Sequence, residues 1–282
     1  MGPLHLHALR PFVAQLALAL TATACAGGPS EDDIRRSEAE YELAAGLVGE
    51  QNYAGAFEHL AESIRLDPDN AEAHFLLGSL HLFRNDFATA EQELLAAIDA
   101  NTRLGRSGLP SLTPDAQNSL GVLYVNAGRL DEAVTTLRAS AADLMNTTPH
   151  LALGNLGWAY LELGRATEAL EVLTQAVRRE PQFCVGWYRL AQAYEALASD
   201  ASDPAAVHRN AEDALSQAVG VEAEVCEDFQ DAWLLRGQVR AHLGRSEDAA
   251  ADFERCVEID ATTDAGRTCA SALDRASTGT EH

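Results

Sequence analysis

The stretch HLALGNLGWAYLELGRATEALEVLTQAVRREP, residues 150–181, reads as two short helices folded against each other. Leu153, Leu156 and Tyr160 fall at three- and four-residue spacing, on one face of the first helix. Leu173 gives the second half a large apolar residue to set against them. Small residues stand where the faces must meet. Gly157 and Ala169 let the two helices approach closely, and Ala176 leaves room for whatever packs on next. Gly164 punctuates the middle, and Pro181 cannot continue a helix.

The same spacing returns along the chain. From Ser37 it gives Leu43-Ala44, Ala56, Leu60, Ser63 and Pro68; from Ala71, His74, Leu77-Gly78, His81, Ala90, Leu94 and Ala97. From Pro114 it gives Leu120-Gly121, Tyr124, Gly128, Ala133, Leu137 and Ser140; from Gln230, Trp233, Gly237, Gly244, Ala249, Phe253 and Cys256. The copy from Cys184 has Trp187, Leu190-Ala191 and Tyr194, but its second half fits only at Ala211, Leu215 and Ala218. That offset implies about eight inserted residues, placed in the polar run Ser199 to Pro204. A second insertion, Gly105 to Thr113, separates the second and third copies.

Leu-Gly, an aromatic three residues on, then Ala, a large apolar residue, Ala and Pro resembles the tetratricopeptide repeat (TPR). The fold expected is all-α: a TPR superhelix, an α-α solenoid of six hairpins over residues 37–276. Residues 264–276 form its capping helix and 277–282 a disordered tail. Such a stack buries its core only between neighbouring hairpins and presents a concave face.

Composition agrees. The apolar fraction is 47% with 6% aromatic, so Ala and Leu dominate, and both favour helix. Alternating β-branched residues are scarce. The 20 basic residues, set against 43 acidic ones, are all Arg. Without Lys there is no Schiff-base or P-loop lysine chemistry. A net charge of −23 argues against nucleic acid, whose phosphates need a basic stripe.

The N-terminus reads as an address. Arg10 precedes an apolar run from Val13 to Leu20, too short to span a bilayer, and small residues then lead into Cys25. Residues 1–24 are expected to be a secretory signal peptide. Cys25 is expected to carry the lipid, a palmitate-type anchor. Ala22-Thr23-Ala24 also reads as an ordinary signal-peptidase site, which leaves a soluble periplasmic protein as the alternative. Ala26 after the cysteine suggests the outer membrane, with residues 25–36 a flexible tether.

In TPR proteins five positions of the first helix of each hairpin face the groove. Here they are Tyr41, Phe75, Leu82 and Phe83, then Asn118, Val122 and Asn126, then Trp158, Leu161, Tyr188 and Gln192. Aromatic and aliphatic residues beside amides suit an extended or helical segment of a protein partner. About half of these side chains are expected to pack against neighbouring hairpins instead. With no Arg among them, a clamp for a carboxylate is not expected.

His74 and His81, seven apart, share a helix face, but both occupy aromatic slots of the repeat. Zinc needs three or four convergent ligands, so no metal, cofactor, small-molecule substrate or enzymatic activity is expected. A metal-dependent envelope enzyme using these two histidines is the contrasting reading. Cys184, Cys226, Cys256 and Cys269 remain, an even number in an exported chain. Three pairings are open, as are free thiols. Placement in the repeats favours Cys184 with Cys226 and Cys256 with Cys269.

Thr148 to Tyr160, followed by Pro181-Gln182-Phe183-Cys184-Val185-Gly186-Trp187, resembles the TPR lipoproteins of type IV pilus biogenesis, the secretin pilotins of the Tgl/PilF/PilW type. The resemblance implies an outer-membrane lipoprotein that faces the periplasm. Its groove would capture secretin subunits and promote their assembly. The alternative is a general envelope TPR scaffold in another secretion or cell-wall complex.

Overall fold

The computed structural model describes residues 28–104 and 112–278. Cys25 and the signal segment lie outside the described residues, as do most of the second insertion and residues 279–282. Fourteen helices and no strand occur among the described residues. They form six antiparallel pairs. The first three are α1 (Glu31–Gly49) with α2 (Tyr53–Leu66), α3 (Ala71–Phe83) with α4 (Phe87–Leu104), and α5 (Leu112–Asn126) with α6 (Leu130–Ala142). Then come α7 (Pro149–Glu162) with α8 (Ala166–Arg179), and α9 (Cys184–Ala198) with α10 (Pro204–Val219). After the single turn α11 (Glu224–Glu227), α12 (Gln230–His242) pairs with α13 (Ser246–Ile259), and α14 (Asp264–Thr278) covers the end.

Four of the six pairs are closed by the same contact. A Cβ built on Gly78, Gly121 or Gly157 would strike Leu94, Leu137 or Leu173 respectively, and those three leucines are fully buried. In the last pair Phe253 fills the same slot against Gly237. The turn between paired helices also recurs. Gln51, Asn85, Gly128, Gly164 and Gly244 occupy one repeat position, and all have φ between 60° and 74°. That left-handed residue ends the first helix and aims the chain back, and Gly or Asn adopts it at least cost.

The fifth pair has Ala198 at that position, still helical. Its eight extra residues are split in two. Some form the 199–203 loop, and the rest lengthen α10 by a turn at its start, where Asp203 caps the helix and Pro204 opens it.

Successive first helices α1, α3, α5, α7 and α9 touch one another, while second helices pack mainly on first helices, and α13 also on α14. The first helices therefore form the inner, concave layer. One apolar core runs from Ala90 to Val239, with smaller clusters where α3 meets the first pair, between α3, α4 and α5, and under α14. There Cys269, Ala272 and Leu273 pack with Phe253.

Two boundaries differ from the sequence reading. Residues 31–36, read as flexible tether, are the opening turns of α1. Ser30 accepts from the Asp33 amide at 3.1 Å and Asp33 reaches back to Ser30 in a capping box. The acidic run Glu31-Asp32-Asp33 lies in the first turn, where the helix dipole favours it. At the other end α14 runs to Thr278, two residues into the segment read as disordered.

Candidate functional site: a cleft on the concave face

A cleft opens on the inner face between α7 and α9. Trp158, Leu161 and Glu162 from α7 and Tyr188, Arg189 and Gln192 from α9 line this cleft of about 290 Å³. The side chains are fixed by one another. Trp158 Nε1 donates to Glu162 Oε1 at 3.1 Å, and Gln192 Nε2 donates to the Tyr188 hydroxyl at 3.1 Å. The Tyr188 ring meets Phe229 edge-on at 4.9 Å. Burial, helped by the Asp231 charge, pushes the Tyr188 phenol above its ordinary range.

Arg189 was not among the residues expected here. Its guanidinium carbon stands 5.0 Å from the Trp158 ring centroid, and it donates to Asn155 Oδ1 at 2.9 Å. Asn155 Nδ2 in turn donates to Asn118 Oδ1 at 2.9 Å. A polar relay thus crosses three successive inner helices, α5, α7 and α9. Arg189 makes no salt bridge among the described residues, and burial pushes its pKa down to about 10. At neutral pH it is still a cation, held by an aromatic face and a neutral amide. The cleft can therefore accept a carboxylate or a row of carbonyls beside an apolar side chain.

Four of the eleven expected groove residues line this cleft: Trp158, Leu161, Tyr188 and Gln192. Asn118 joins it through the amide relay. The other six do not converge. Tyr41 packs on the core of the first pair, and Phe75 and Leu82 pack on the main core. Val122 is half-buried and Asn126 exposed. Phe83 is 71% exposed and lies 5.8 Å from the Tyr53 ring. The residues expected in the groove included no Arg, which spoke against a carboxylate clamp, yet Arg189 lines the cleft. It sits one repeat position after Tyr188, beside the five positions carried over from the repeat pattern. Asn155 occupies the same slot one hairpin earlier.

His74 and His81 each have separate partners. His74 Nδ1 is 2.6 Å from Glu93 Oε2 and its Nε2 is 3.1 Å from the Pro68 carbonyl. His81 Nδ1 is 3.0 Å from Asp86 Oδ2. Two disulfides join Cys184 to Cys226 and Cys256 to Cys269, with Cα–Cα distances of 6.1 and 6.3 Å. The first ties the start of α9 to α11; the second ties α13 to α14.

Models of the tetratricopeptide repeat match residues 47–103, 78–145, 151–183 and 208–264. The chain is a tetratricopeptide-repeat protein. No curated protein sequence matches it. Among solved structures, this TPR protein is similar to PilF of Pseudomonas aeruginosa at 15% identity and a TM-score of 0.67, covering 86% of this chain and 99% of that one. It is similar to PilW, a type IV pilus biogenesis factor, at 19% identity and a TM-score of 0.66, covering 82% and 97%. YrrB, a TPR protein with an unusual peptide-binding site, matches at 15% identity and a TM-score of 0.50, covering 76% and 97%. At these identities the likeness is one of fold.

Proposed function

We propose that this TPR protein is an outer-membrane lipoprotein, anchored through Cys25 and facing the periplasm. It captures secretin subunits on its concave face and promotes their assembly in type IV pilus biogenesis. The observation that carries the reading is the Trp158–Arg189 cleft, an aromatic wall with a half-buried cation that has no counter-ion among the described residues. A protein segment bearing an acidic group beside an apolar side chain fits that chemistry. The signal-like N-terminus ending at Cys25 and the two disulfides suit an oxidising compartment outside the cytoplasm. Similarity of fold over nearly the full length of PilF and PilW supports the choice of pathway. The role is binding, with no covalent chemistry and no cofactor.

A general envelope scaffold is the second reading; YrrB, a TPR protein with a peptide-binding site, shares the fold. The two separate on deletion of the gene, with assays of heat-stable secretin multimers and of pili. Loss of both is expected. Unchanged multimers would overturn the secretin reading and leave the scaffold one.

A further inference from the structure

Far from one another in sequence, Glu195, His208 and His242 meet at the junction of the fifth and sixth hairpins. We infer that they form a binding site for one divalent transition-metal ion of the zinc class. Glu195 lies in the last turn of α9, His208 in α10, and His242 is the last residue of α12. His208 Nδ1 is 2.7 Å from Glu195 Oε1, and His242 Nδ1 is 3.8 Å from Glu195 Oε2. The two imidazole centroids are 5.1 Å apart. One ligand atom from each residue lies within 4.8 Å of the other two.

A tetrahedral zinc ion with bonds near 2.0 Å holds its ligand atoms about 3.3 Å apart, so the cluster needs only side-chain adjustment. His242 can supply it, because its side chain is 60% exposed and free to swing. Two neutral imidazoles and one carboxylate are a ligand set that zinc-type ions favour over magnesium or calcium. Three protein ligands would leave a fourth position for water.

The other histidine–carboxylate pairs of the chain are built differently. His74 spends both ring nitrogens on protein acceptors, and His59 meets Glu40 alone. Only here among the described residues do two imidazoles share one carboxylate. The inserted turn at the start of α10 has a part in this. Elsewhere the slot of His208 is the first residue of the second helix, as with Tyr53, Phe87, Leu130 and Ala166. In α10 it stands a turn inside, on a formed helix. A bound ion would tie α9 and α10 to α12 across the longest connection between described hairpins, residues 220–229.

The test is calorimetric titration of zinc chloride into the untagged, EDTA-treated full chain. One ion per chain is expected. His208→Ala and His242→Ala should each weaken it by about 10-fold or more, with helicity unchanged. His59→Ala should bind as the parent does. Zinc, but not magnesium, should raise the melting temperature of the parent and not of His242→Ala. Absence of stoichiometric uptake would overturn the site. So would uptake that survives both variants, or an equal loss in His59→Ala.

Discussion

The guanidinium of Arg189 lies 5.0 Å from the centroid of the Trp158 ring, and its hydrogen bond on that side goes to the neutral amide of Asn155. Neither contact cancels the charge. Burial already lowers its pKa to about 10, so the protein holds a cation there at a cost in stability. A partner carboxylate would offset that cost. Arg189→Met should therefore keep the fold with a melting temperature no lower than the parent's, yet weaken partner capture by roughly 10-fold, since charge-assisted hydrogen bonds contribute about 1.5–3 kcal/mol. Arg189→Lys should rescue only part of the loss, because an ammonium cannot lie flat on the ring and reach Asn155 together. Titration with a purified secretin fragment measures this. Parent-like affinity in Arg189→Met would move the partner to another surface.

Gly157 and Leu173 set the spacing of the hairpin that carries Trp158. A methyl at Gly157 would collide with the Leu173 side chain, which is fully buried and has nowhere to go. Gly157→Ala should cost about 1–3 kcal/mol as overpacking. Leu173→Ala should cost about 2–5 kcal/mol as a cavity. The double variant should be more stable than the sum of the two predicts, since each change relieves the other's fault. Chemical denaturation followed by helicity checks the non-additivity. Strict additivity would mean that the two residues do not share this contact.

The hairpins were legible in sequence because their packing rule is local. A small residue must stand opposite Leu94, Leu137 or Leu173, and that need recurs at fixed spacing. The cleft was partly legible for the same reason. Trp158, Leu161, Tyr188 and Gln192 sit at repeat positions that face inward. Arg189 escaped because its direction follows from how α9 leans on α7, which no single repeat records. The grouping of His208 and His242 escaped because it depends on an insertion that shifts where α10 starts. The helical residues 31–36 were missed because acidic residues after Gly27 and Gly28 read as a solvated linker. The Ser30–Asp33 capping box was the available signal.

The Cys184–Cys226 bridge spans 42 residues of sequence and encloses α9, α10 and the extended connection to α11. Cys256–Cys269 spans 13. By loop-closure entropy the first contributes about 4 kcal/mol and the second about 3 kcal/mol. Reduction should therefore lower the melting temperature through the C-terminal hairpins first, leaving α1 to α8 folded, since repeats unfold by neighbourhood. Hydrogen exchange with and without reductant would show protection lost mainly beyond residue 184. Uniform loss along the chain would mean that the stack unfolds as one unit.

His74 supplies a pH test of the N-terminal hairpins. Burial alone disfavours its charged form. The bonds to Glu93 and to the Pro68 carbonyl, with the Glu93 and Asp69 charges, outweigh burial and raise its pKa above 6.5. A pKa raised on folding means that the folded state binds the proton more tightly than the unfolded chain. The resulting stability is fully present below 6.5 and is lost as pH rises through the folded value. His74→Gln keeps a donor and an acceptor but cannot titrate. The difference in melting temperature between parent and His74→Gln should thus be largest in mildly acidic buffer and shrink as pH rises above 6.5. A difference that stays constant over that range, or grows with pH, would show that His74 is held there as the neutral ring.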